Sequence, residues 1–230
     1  MNPTCLIITA YLLNIILCTH INDDIPREEE AFCHLSGGRL IVTSVRSNLY
    51  SECTDEEALK AEDNLALILR SPKELIKYAK LESISMPVLD ILTLNLPEAV
   101  DLRELKLSVL HTSGEKFYEF IQSLPTQLEV LTLMCVSFSE SSVEQNFPFP
   151  SNLTEINAIA CSFNDVIEPF TQGLLSIPNL KEIQDTTGHL VVAILKRYNE
   201  KSLAKIESIR TSLEGLFKAN HFPEINKLLH

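Results

Sequence analysis

The chain has 230 residues, enough for one domain with appendages and a sizeable core. Its 19 Lys and Arg stand against 31 Asp and Glu, a formal net charge of −12, so nucleic acid is not the expected partner: a surface that coats a phosphate backbone needs clustered positive charge. Hydrophobic residues at 45% and charged residues at 22% belong to a chain that folds, and 36 leucines in short spaced clusters require a test for internal repeats.

In chain order, the first element is the apolar run Cys5 to Cys18, interrupted by Thr9 and Asn14 and followed by an acidic stretch from Asn22 to Glu30. A bilayer-spanning helix needs roughly 20 residues, so the run is short for a span and fits the apolar region of a secretory signal over 1–20. No Lys or Arg precedes it, and its small-residue exit after Cys18 or Thr19 is mediocre; a retained anchor and a buried first helix are the alternatives. The signal reading implies a secreted protein with no membrane insertion after signal removal. Residues 21–85 are expected to form an N-terminal cap, partly flexible at its start. Asp23, Asp24 and Glu28 to Glu30 lack the ligand spacing of a calcium loop and read as a solvated segment. Leu40 to Val45, after Gly37-Gly38, reads as the first strand. Thr54-Asp55-Glu56-Glu57 opens a helix through about Leu69, and Ser71-Pro72-Lys73-Glu74 opens another through Lys80. Cys33 and Cys53 flank the first strand, either as a staple of the cap or as two buried thiols.

From Leu102 the leucines fall into one frame: Leu102-x-x-Leu105-x-Leu107-x-x-Leu110, then copies starting at Leu128, Leu153, Leu180 and, degraded, Leu203. An apolar residue and a proline precede several starts, as in Leu124-Pro125, Phe149-Pro150 and Ile177-Pro178. Proline stops the helix behind it and biases its predecessor toward extended backbone, so each pair should end a helix and feed a strand. Met86-Pro87 to Leu94 carries the same signature, and either Leu89 or Leu81 starts the preceding copy. Helices are expected over Gly114 to Ser123, Asp165 to Ser176 and His189 to Tyr198, with a turn or loop after Phe138.

At these residues the chain resembles the leucine-rich repeat superfamily, in the longer-repeat form found in ribonuclease-inhibitor-like proteins and in the sensor regions of nucleotide-binding leucine-rich-repeat receptors. The resemblance implies an α/β solenoid, with a parallel sheet on the concave face and helices on the convex face. Repeats would cover 86–213, between helical N- and C-terminal caps, the second over 214–230. Ala158, Asp185 and Ser208 replace the third leucine of the pattern, and Cys161 stands at the position where the family uses Asn or Cys.

Catalytic motifs are missing: there is no phosphate-binding glycine loop, no nucleophile elbow, and neither HExxH nor CxxC. His34 beside Cys33, and His111 with Glu115, are isolated pairs short of the ligands zinc requires. Cys135 and Cys161 occupy nearly equivalent places in adjacent copies and read as thiols more readily than as a disulfide ladder. Arg197, Lys201 and Lys205 read as a solvated face. Asn152-Leu153-Thr154 is the one N-x-[ST] sequon. No cofactor or metal is expected.

Residues between the inward leucines should face outward in three columns: Glu104, Val130, Glu155 and Glu182; Lys106, Thr132, Asn157 and Gln184; Ser108, Met134, Ile159 and Thr186. Met134 and Ile159 should form an apolar contact patch flanked by Glu129, Glu155 and Lys106. The expected function is a non-catalytic scaffold that binds a protein partner through this face. An intracellular adaptor, or an enzyme built around His34, His111 or His189, are the competing readings.

Overall fold

The computed structural model describes residues 33–43, 65, 76–82, 84, 86–139, 141–196 and 206–211, all within the unit Phe32–His230. The leader over 1–20, the acidic stretch, Cys53, the basic residues Arg197, Lys201 and Lys205, and the C-terminal cap over 214–230 lie outside the described residues. Of the helix expected from Thr54 to Leu69, Leu65 is described; it is helical and fully buried.

The described residues form an α/β unit whose eight strands make one sheet in chain order. The strands are β1 (Cys33–Ser36), β2 (Arg39–Thr43), β3 (Tyr78–Glu82), β4 (Glu104–Thr112), β5 (Val130–Phe138), β6 (Glu155–Ile159), β7 (Glu182–Asp185) and β8 (Ser208–Thr211). β1 and β2 are an antiparallel hairpin turned at Gly37 and Gly38, whose positive φ values of 56° and 77° suit glycine. Every later pairing is parallel. The α-helices whose full extent is described are α1 (Met86–Asn95), α2 (Gly114–Ser123), α3 (Ile167–Ser176) and α4 (His189–Lys196).

Alternation makes the strands. Ala79, Leu105, Leu131, Ile156, Ile183 and Ile209 stand opposite one another in register, each at most 1% exposed. Leu81, Leu107, Leu133, Ala158 and Asp185 form a second buried column beside them. A fully buried leucine contributes about 1.5–3 kcal/mol relative to leaving it in water, so stacking these positions is the main source of stability. Leu105/Leu107, Leu131/Leu133 and Ile156/Ala158 thus lie on adjacent parallel strands with side chains inward, as the 26- and 25-residue spacings predict. The backbone repeats the same unit. The carbonyls of Lys77, Arg103, Glu129, Thr154 and Lys181 each accept two N–H groups from the start of the next strand.

This register corrects the frame at both ends. Ala79 and Leu81 pair with Leu105 and Leu107, so the preceding copy starts at Ile76, and neither Leu89 nor Leu81 is its first position. Met86–Asn95 is a helix: Val88, Leu89, Leu92 and Leu96 follow helical spacing and are fully buried, whereas Leu94, which a strand would bury with Leu92, is 74% exposed. The helix expected through Lys80 is likewise overturned at Tyr78–Lys80, because Ala79 and Leu81 fill strand positions between β2 and β4. At the far end, Ile209 pairs with Ile183 and Thr211 with Asp185. The last copy therefore starts at Ile206 rather than Leu203, and Ser208 faces outward. Finally, Leu40 to Thr43 lies in the second strand of the sheet, β1 preceding it.

α2 has the expected bounds, and its N-cap is Ser113, whose side chain accepts from the Lys116 N–H at 3.3 Å. Leu124 and Ile177, each before a proline, leave α2 and α3 in extended conformation, with ψ of 140° and 123°. The helix expected from Asp165 begins as a 3-10 turn, Asn164–Val166, before α3.

A second periodic device sits where the strands end. Val109, Cys135 and Ala160 have φ of 53°, 52° and 53°, each two residues beyond the second buried column. A left-handed residue interrupts the period-two alternation, so Leu110, Val136 and Cys161 turn inward three residues after Leu107, Leu133 and Ala158. The pairing of β4 with β5 accordingly skips Val109 and Cys135.

Residues 141–150 contain no helix, as their polarity predicts, yet they fill the helical layer between α2 and α3. Phe147 is 2% exposed, with its ring 5.9 Å from that of Phe117 and 5.5 Å from that of Phe170. Its backbone runs so close to α3 that any Cβ on Gly173 would strike the Phe147 carbonyl, which is why that helix carries a glycine. Glu115 ties the segment to α2: its Oε1 accepts from the Ser142 N–H at 2.6 Å and from the Ser142 hydroxyl at 2.8 Å. These bonds, the backbone one foremost, hold its carboxyl at about 2 against the ordinary 4.5. A carboxyl depressed on folding stabilises the fold above its unfolded pKa and loses that contribution as pH falls through the folded value. Urea midpoints of the wild type and Glu115→Gln should therefore differ at about pH 6 and converge as pH falls from 4.5 toward about 2. A constant gap would show that the Ser142 bonds do not distinguish the ionised form.

Candidate binding face

The inward columns pack on the helices through Phe117, Phe120, Leu174 and their neighbours in one core. Outward residues occupy the opposite face. The first column runs Arg39, Tyr78, Glu104, Val130, Glu155, Glu182, Ser208. The second runs Ile41, Lys80, Lys106, Thr132, Asn157, Gln184, Arg210, and the third holds Glu82, Ser108, Met134 and Ile159. Ten of the twelve residues expected to face outward are on the face: Glu104 is exposed, and Lys106, Val130, Thr132, Met134, Glu155, Asn157, Ile159, Glu182 and Gln184 are half-buried.

Met134 and Ile159 pair directly across β5 and β6. Beside them, Asn157 donates through Nδ2 to Thr132 Oγ1 at 3.2 Å and to Glu155 Oε1 at 2.8 Å, which pins the polar centre of the face. Lys80 pairs with Glu82 at 2.6 Å and Arg210 with Glu182 at 3.1 Å. Such surface pairs contribute little to stability, and they fix side-chain positions more than they hold the fold. Lys106 makes no ion pair among the described residues, and Glu129, just ahead of β5, lies 3.5 Å from Arg103 rather than beside Met134.

Two third-column expectations change. Ser108 is 7% exposed rather than solvated, and its hydroxyl has no hydrogen-bond partner among the described residues. Thr186 follows the end of β7, and its hydroxyl accepts from the Ala160 N–H at 2.8 Å, so it braces the left-handed bend of the neighbouring strand.

The reactive candidates do not converge. His111 Nδ1 lies 3.0 Å from the Ser137 hydroxyl, while Glu115 is engaged with Ser142. His34 lies in β1, and His189 is exposed at the start of α4. Among the described residues no three His, Cys, Asp or Glu side chains gather as metal ligands, and no helix is long and apolar enough to cross a membrane. No disulfide joins Cys135 to Cys161. The Cys161 thiol is buried beside the Leu133 carbonyl at 3.3 Å, and desolvation pushes its pKa up to about 12, which makes it a core side chain rather than a nucleophile.

Asp185 has a structural role that the sequence pattern conceals. It stands in the second buried column at 0% exposure, where Leu107 and Leu133 stand in earlier strands. Its Oδ1 accepts from the N–H and hydroxyl of Thr187 at 3.1 and 2.9 Å, and its Oδ2 from the N–H groups of Leu190 and Val191 at 2.8 and 3.2 Å. It therefore caps the first turn of α4 from inside the core.

No protein-family model matches the chain, and no curated protein matches it.

Proposed function

We propose that the chain is a short leucine-rich-repeat solenoid, secreted, that binds a protein partner through the outward face of its sheet. The solenoid reading is supported by the parallel strands added in chain order and by their starts at 76, 102, 128, 153, 180 and 206, each marked by the same buried positions. A stack of this kind presents its outward residues as one continuous concave array suited to a large partner, while the reactive side chains stay apart. The observation that carries the binding reading is the half-buried pair Met134 and Ile159, apolar side chains adjacent across β5 and β6 on a sheet face whose other described residues are mostly polar.

Replacing both with arginine should leave the melting temperature nearly unchanged, because neither is a core residue. It should weaken capture of a partner recovered on the immobilised chain by about tenfold or more, on the order of 1.4 kcal/mol. Undiminished capture by the folded double variant would move the contact to residues 141–150 or to the C-terminal cap.

A further inference from the structure

At the four starts that open on leucine, the residue just ahead carries an amide or acidic side chain: Asp101, Gln127, Asn152 and Asn179. Only Asn152 heads a sequon, with Leu153 and Thr154 following. These equivalent positions differ in what holds them. The Asn179 amide donates to the Ser151 carbonyl at 3.1 Å, and Gln127 Oε1 accepts from the Thr126 hydroxyl at 3.0 Å. Asn152 is exposed, and its amide has no hydrogen bond among the described residues. Leu153 is buried and Thr154 bonds to the Glu129 carbonyl at 3.1 Å, so the tripeptide is anchored on its far side and open at its acceptor.

We propose that Asn152 carries an N-linked glycan. In this step the Asn152 side-chain nitrogen displaces a lipid-linked diphosphate from the anomeric carbon of an oligosaccharide donor, losing one proton; a glycosidic C–N bond forms and a C–O bond to phosphate breaks. The folded chain accommodates the product, because the acceptor points to solvent ahead of the strand and the glycan displaces no core side chain. Its attachment point lies three residues before β6, outside the sheet. The proposal rests on the secretory reading of the first 20 residues.

The test expresses the full chain in insect cells with its own N-terminus and, in parallel, with residues 1–20 replaced by the leader of a secreted insect protein. Each product is compared before and after peptide N-glycosidase. One mobility step should be removed by the enzyme from the native-start chain, be missing in Asn152→Gln, and be retained in Thr154→Ser, which keeps the acceptor pattern. A secreted native-start chain without the step overturns the glycan and leaves the secretory reading standing. A step confined to the leader-exchanged chain shows that the site is competent but not reached, and it overturns both the secretory reading and the proposal.

Discussion

Leu131→Asp is expected to abolish cooperative folding. Leu131 is 0% exposed and is flanked in register by Leu105 and Ile156, so no water reaches its side chain and no described donor in its column is free to pair a carboxylate. The substitution removes the transfer free energy of a buried leucine and adds the cost of desolvating a charge or of protonating it. The two together come to about 5 kcal/mol or more, comparable with the whole stability of an ordinary domain. Circular dichroism on heating should show a broad, early loss of structure or none to lose. A variant melting within a few degrees of the parent would mean that the β5 column does not organise the core.

Asp185→Leu is the second large effect, and its direction runs against the repeat pattern. By pattern alone, leucine completes the column begun by Leu81, Leu107 and Leu133, so the change should stabilise. In the structure it removes the acceptor of four hydrogen bonds and leaves the buried N–H groups of Leu190 and Val191 without partners. Each unsatisfied buried donor costs about 1–3 kcal/mol, against about 2 kcal/mol gained from the leucine's apolar surface, so the variant should be weaker by roughly 2 kcal/mol. Asp185→Asn keeps one acceptor oxygen and should lose roughly half as much. Urea unfolding of the three proteins measures the order; a leucine variant equal to or above the wild type would show that α4 needs no cap from the core.

The pattern was legible where two signals agreed. α2 followed from the helical spacing of Phe117, Phe120 and Ile121 together with a proline stop at Pro125, and the central strands followed from a frame repeated three times. It was illegible where one spacing serves two structures. Leu89-x-x-Leu92 fits a strand start and a helix face equally, and only the exposure of Leu94 separates them. Leu203, Ile206 and Ile209 are equally spaced by three, so the frame could slip, and burial of Ile209 against Ile183 decides it. Ser71 to Glu74 signals a helix start, and pairing with β2 and β4 still places Tyr78–Lys80 in a strand. On the outward face of the sheet, alternation sufficed to place ten of the twelve expected residues. The burial of Ser108 and the bracing role of Thr186 depend on what neighbouring strands put beside them, which spacing does not encode.

The uninterrupted chain order of the sheet also decides how the molecule bears load. Each of β2 to β7 is held laterally by the strands just before and just after it in sequence, β1 and β8 have one neighbour each among the described residues, and no distant segment is interleaved among the described strands. A pull on one end therefore meets a single strand's ladder at a time, with no clamp that must break all at once. Each ladder that gives way between successive starts, such as 102 and 128, frees 26 residues, a contour of about 90 Å at full extension. Tension along the described strands from 76 to 206 is absorbed in a series of similar, modest steps, and the strands beyond the point of rupture stay paired.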